Sequence, residues 1–99
     1  MTDVVYTIPE IIARLKPIFS RYNVKTAILF GSYAKGTQCN KSDVDILVDS
    51  GLHGLAFFGL LEEVVTALDK NVDLIDTQQI EPQSRIDNEI RSSGVLIYG

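Results

Sequence analysis

Phe30-Gly31-Ser32-Tyr33-Ala34-Lys35-Gly36, followed by Lys41-Ser42-Asp43-Val44-Asp45-Ile46-Leu47-Val48-Asp49, is the stretch that decides how this chain is built. The run Ala27-Ile28-Leu29-Phe30 is continuous and apolar, which suits a strand (residues 25–30) covered on both faces and ended by Gly31. Residues 32–35 read as a short helical turn and residues 36–41 as polar loop. A second strand follows over residues 44–48. Its alternation puts Val44, Ile46 and Val48 on one face and Asp43, Asp45 and Leu47 on the other. Gly31-Ser32 is thus separated by ten residues from an Asp-x-Asp pair that opens the next strand.

On the N-terminal side, Ile8, Ile11, Ile12, Leu15, Ile18 and Phe19 recur at helical spacing, so residues 8–22 are expected to form an amphipathic helix. Thr7 and Glu10 have capping-box spacing, Pro9 suits the first turn, and Asn23 suits the stop. Pro17 removes a backbone donor inside the pattern and predicts a kink or a break. On the C-terminal side, Gly51 and Gly54 interrupt the chain. Residues 55–69 then read as the longest helix, buried along Phe57, Leu60, Leu61, Val64, Val65 and Leu68 and ended by Asn71. Val72-Asp73-Leu74-Ile75 is a third strand, residues 83–92 a last helix, and residues 95–98 a short terminal strand.

The second strand, the long helix and the third strand make a βαβ unit, whose two strands must be parallel. Asp43 and Asp45 open one of these strands and Asp73 opens the other, so all three reach the same end of the sheet. The first strand joins the second without a full crossover helix and is expected to run antiparallel, which brings Gly31-Ser32 to that end too. Alternation sends Val72 and Leu74 toward the helices and Asp73 to the face of Asp43 and Asp45; Asp76 offers a competing register. Three carboxylates on one patch repel one another, and a cation relieves that repulsion. Oxygen-only ligands favour magnesium or manganese over zinc. Gly31 lets backbone approach a phosphate, and Ser32 with the neighbouring amides can donate to it.

Other residues carry weaker signals. Lys35 is equally suited to a phosphate contact and to ordinary surface charge. Tyr33 reads as a partly exposed turn residue or as a platform for a base or partner. Asp49 and the loop residue His53 read as structural or solvent-facing.

The bulk numbers exclude several classes. The chain has 99 residues, enough for one domain spanning 1–99. Its net charge is -4, the wrong sign for non-specific nucleic-acid binding. A single cysteine, Cys39, precludes an intrachain disulfide and reads as a surface thiol. No apolar run reaches membrane-spanning length, and Met1-Thr2-Asp3 lacks the basic start of a signal peptide, so a cytoplasmic protein is expected. A P-loop is excluded because Thr37 stands where its lysine belongs.

Taken together, Leu29-Phe30-Gly31-Ser32-Tyr33-Ala34-Lys35-Gly36, Ser42-Asp43-Val44-Asp45-Ile46-Leu47-Val48 and Val72-Asp73-Leu74-Ile75 resemble the short members of the polymerase-beta-like nucleotidyltransferase superfamily, the minimal nucleotidyltransferases. The resemblance extends over nearly the whole chain, to the ending Gly94-Val95-Leu96-Ile97-Tyr98. It implies an α/β (α+β) nucleotidyltransferase fold, an αβαβαβα core around a small mixed β-sheet. It implies two Mg²⁺ ions at Asp43, Asp45 and Asp73, and ATP phosphates at Gly31 and Ser32, with Lys35 available to assist. Many relatives carry arginine where this chain has Tyr33. The activity implied is AMP transfer to a protein hydroxyl, a tyrosine of a HEPN-domain ribonuclease toxin, with this chain as the antitoxin. Two alternatives stand beside it: a non-catalytic antitoxin that masks its partner, and transfer to a small-molecule hydroxyl.

Overall fold

A computed structural model of the chain describes residues 5–39 and 42–99. The N-terminal residues weighed against a signal peptide, and positions 40 and 41 of the polar loop, lie outside the described residues. Helix α1 spans Ile8–Arg21. Its capping box forms as the spacing predicts: the Glu10 amide donates to Thr7 Oγ1 (3.2 Å), and the Thr7 amide donates to the Glu10 carboxylate (2.9 Å). Of the kink or break expected at Pro17, the break does not occur: α1 runs through it to Arg21. Pro17 is exposed, while Ile18 and Phe19 just beyond it are buried. Packing of those two side chains holds the last turn despite the missing donor. Asn23, with φ of 56°, turns the chain out of the helix.

Strand β1 (Thr26–Phe30), helix α2 (Ser32–Lys35), strand β2 (Val44–Asp49), helix α3 (Leu55–Leu68) and strand β3 (Val72–Asp76) follow in order. A short 3₁₀ turn (Thr77–Gln79), helix α4 (Arg85–Ser93) and strand β4 (Val95–Tyr98) complete the chain. The sheet order is β3-β2-β1-β4. Strand β2 is antiparallel to β1 and parallel to β3, as the connections require; β4 adds antiparallel to the free side of β1. The residue that ends α3 is Asp69 in the left-handed conformation (φ 51°), not the expected Asn71. A short polar side chain tolerates that backbone, so the stop falls two residues early.

One sheet face carries the core. Ala27, Leu29, Val44, Ile46, Val48 and Leu74 pack against Leu15 and Phe19 of α1 and Leu60, Val64 and Leu68 of α3. Each of the larger side chains among them, fully buried, contributes about 1.5–3 kcal/mol. Near the N-terminus, the Tyr6 hydroxyl donates to the Leu68 carbonyl (2.6 Å) and ties that end of the chain to the end of α3. Gly59 in α3 faces the Tyr22 ring, whose hydroxyl would stand 3.2 Å from an added Cβ, so its small size serves close packing.

The other sheet face is only partly covered, by α4 against β1. Its cross-strand rows follow from the register. Phe30, Asp45 and Asp73 form one row; Ile28, Leu47 and Ile75 form the next. The sheet therefore separates an apolar layer from a face whose end is acidic.

Candidate active site

Strand β1 ends at Phe30, and Gly31 turns the backbone into α2 with φ of 74°. That conformation favours glycine on its own account. A second constraint comes from β2. The register sets Asp45 opposite Phe30, and its carboxylate lies against the Gly31 Cα. The four-residue helix α2 is closed by Gly36 in the left-handed conformation, and the Thr37 amide donates to the Ser32 carbonyl (3.0 Å). Ser32 thus opens a helical turn immediately after the glycine that Asp45 touches.

Asp45 and Asp73 are direct partners across the parallel β2–β3 pair, and Asp43 lies two residues before Asp45 where the chain enters β2. Asp45 and Asp73 share one end of one face, as strand direction and alternation predict, and Asp43 is near enough for its charge to act on Asp45. Their mutual influence is visible at Asp45, whose pKa is pushed up to about 6. Burial is the main cause, followed by the negative charges of Asp73, Asp43 and Glu89. Among the described residues, no three acid, histidine or cysteine side chains already converge tightly enough to enclose an ion. Magnesium does not require such a cage, since it keeps several waters and takes one or two carboxylates together with substrate phosphates.

The competing register through Asp76 is ruled out. Asp76 is buried at the far end of β3, where it caps the 3₁₀ turn. It accepts hydrogen bonds from the Ser50 amide and hydroxyl, the Gln78 amide and the Thr77 hydroxyl. Burial alone would raise its pKa; those donors outweigh it, and the carboxyl stays below its ordinary value. Asp76 is a structural carboxylate.

Tyr33 departs from both of its sequence readings. It is 1% exposed and belongs to the core, so neither base stacking nor partner contact is open to it. Its hydroxyl makes no hydrogen bond of ordinary geometry among the described residues, although the Tyr6 backbone lies close enough to act on it; burial raises its pKa. Helix α2 is short enough that its inward side is spent on packing. Lys35, on the exposed side of α2, pairs with Glu89 of α4 at 3.1 Å. Glu89 was not legible as a site residue: it belongs to an amphipathic helix, and no spacing in the sequence says which part of α4 meets the acid end of the sheet. His53 and Cys39 are exposed, and Ser42 bonds Cys39 locally. Among the described residues no helix is long and apolar enough to cross a membrane.

Comparison with known proteins agrees with this geometry. A protein of Methanocaldococcus jannaschii named as a candidate protein adenylyltransferase is 39% identical over 87 residues, covering 83% of this chain and 92% of the relative. The protein adenylyltransferase MntA of Shewanella oneidensis is 46% identical over 50 residues, 48% of this chain and 36% of MntA. A chain from a toxin–antitoxin complex crystallised with AMP-PNP superposes with a TM-score of 0.75 at 27% identity, covering 89% of this chain and 73% of that one. The sequence profile of the family described as Polymerase beta, Nucleotidyltransferase matches residues 13–99. That span takes in the glycine-serine turn and all three acids of the open sheet face, and the chain belongs to this nucleotidyltransferase family.

Proposed function

We propose that this chain, as one domain over residues 1–99, transfers AMP from ATP to a hydroxyl of a partner protein. The acceptor is a tyrosine of a HEPN-domain ribonuclease toxin, and the chain acts as the antitoxin of the pair. The observation that carries the reading is the pairing of Asp45 with Asp73 directly beside the Gly31 turn. Support for the acceptor class comes from the relatives: one carries the name protein adenylyltransferase MntA, and one structural neighbour is a toxin–antitoxin complex with AMP-PNP.

In this reading Asp43, Asp45 and Asp73 hold Mg²⁺, with two ions in the working complex. The donor set fits, because it is all oxygen and because Asp45 is destabilised as an anion by its neighbours. Magnesium bound there neutralises charge on the triphosphate and on the attacking and leaving oxygens. The Gly31 turn lets backbone approach the phosphates, and the Ser32 hydroxyl and the first amides of α2 donate to them. Lys35 adds a positive charge on the same side. The acceptor hydroxyl gives its proton to the Asp73 carboxylate; its oxygen bonds to the α phosphorus as the bond to pyrophosphate breaks, in line. In this reading the partner, which presents the acceptor hydroxyl, completes the site.

The test is incubation of the protein with labelled ATP, Mg²⁺ and a HEPN-domain partner protein, read by mass spectrometry. A mass gain of one or more AMP units on the partner is expected. An unlabelled partner that is still inhibited, including by an Asp43→Ala/Asp45→Ala variant, overturns transfer in favour of masking.

A further inference from the structure

Glu89 is an acid where the site already has a surplus of negative charge. It reaches in from α4, on the far side of the open sheet face, and it adds to the repulsion felt by Asp45. Its backbone is well fixed, since the Ser92 and Ser93 hydroxyls both donate to its carbonyl (3.1 Å each). Its carboxylate is taken up by Lys35, with Nζ 3.1 Å from Oε1. The two side chains are 48% and 27% exposed, too wet for the pair to be a major source of stability. An acid that costs electrostatic energy at the site and adds little to the fold calls for another role.

Lys35 needs such help. It lies in a four-residue helix one turn after Gly31-Ser32, and its ammonium sits on a flexible four-carbon stem that by itself spends its time in solvent. We propose that Glu89 is a positioning residue: it holds the Lys35 ammonium on the phosphate side of the site, so that an incoming triphosphate meets a cation already in place. The proposal rests on the nucleotidyl-transfer reading above and adds to it the element α4 and a division of labour. Asp43, Asp45 and Asp73 serve the cation, and Glu89 serves Lys35.

The test is a double-mutant cycle on binding of Mg²⁺–AMP-PNP, measured by titration calorimetry with the wild type, Glu89→Gln, Lys35→Met and the double variant. Glu89→Gln is expected to weaken binding about two- to fivefold, the range of a partly exposed ion pair, and to do so only when Lys35 is present. The melting temperature should hold in all four proteins, which separates positioning from structural loss. Glu89→Ala repeats the cycle with a second side chain. Unchanged affinity in Glu89→Gln overturns the proposal, and so does an equal loss in the Lys35→Met background. A wild type that binds Mg²⁺–AMP-PNP yet leaves its partner unlabelled sinks the transfer reading, while the cycle still decides the role of Glu89.

Discussion

A methyl group placed on Gly31 would stand 2.1 Å from Oδ2 of Asp45. The glycine turn and the central acid of the site are therefore one packing unit, and the first cannot change without moving the second. Gly31→Ala combines a positive φ with this overlap. We expect it to destabilise the fold by roughly 1–3 kcal/mol and to abolish AMP transfer. Thermal melting and the labelling assay check the two effects separately. Full activity in a folded Gly31→Ala protein would show that Asp45 can move without harm.

The raised pKa of Asp45 makes a prediction with a definite sign. In the unfolded chain this carboxyl loses its proton near the ordinary value of 3.8; in the fold its pKa is pushed up to about 6. Between those values the folded state holds more protons, so stability falls as pH rises through that window. Above it the folded protein carries the full cost of the charge. Asp45→Asn should therefore melt higher than the wild type at pH 7.5 without magnesium. The gain is on the order of 1 kcal/mol once solvent screening is allowed for, and it should shrink as pH falls below 6. Melting curves from pH 4.5 to about 8 measure it.

Magnesium should reverse that balance. Adding the ion to the wild type at pH 7.5 is expected to raise its melting temperature, with chelator returning it to the starting value, because a ligand that binds only the folded state stabilises it. Asp45→Asn should show little of this response. Asp43→Ala and Asp73→Asn should each cut AMP transfer at least about a hundredfold while leaving the fold intact. Initial rates at saturating ATP provide the check. Wild-type rates in Asp73→Asn would remove the third acid from the mechanism.

Asp76 should behave in the opposite way. It is 4% exposed and anchors Ser50 and the 3₁₀ turn. Asp76→Ala strips the partners from several donors at once and should cost about 2–4 kcal/mol. Its lowered pKa contributes stability that is present above the unfolded value and is lost as pH falls through the folded one. The deficit of Asp76→Ala should accordingly narrow in acid. Urea unfolding at neutral and acid pH tests this.

The contrast between Asp73 and Asp76 shows what was legible in advance. A period of two and a parallel crossover pointed to Asp73 on the open face beside Asp45 and left Asp76 as a competing register, which the observed β2–β3 pairing excludes. Elements and strand directions followed from the same reasoning. What escaped it depended on packing between distant segments. Pro17 lies within a continuous helix because its buried neighbours outweigh one lost hydrogen bond. Tyr33 is in the core because α2 presses one side onto the sheet. Glu89 reaches the site through the docking of α4, which no local pattern encodes.

The pairing of β4 with β1 bears on how the protein is made. Strand β1 forms from residues 26–30, but the strand that covers its outer edge is β4, at residues 95–98. The glycine turn and the acids lie on β1, β2 and β3, so β4 covers that edge from the far end of the sequence. A long-range closure of this kind is slow compared with the local βαβ unit, and an uncovered strand edge is a template for pairing with other chains. Until residues 95–98 dock, the strand that leads into the glycine turn keeps an edge on which a foreign strand could settle.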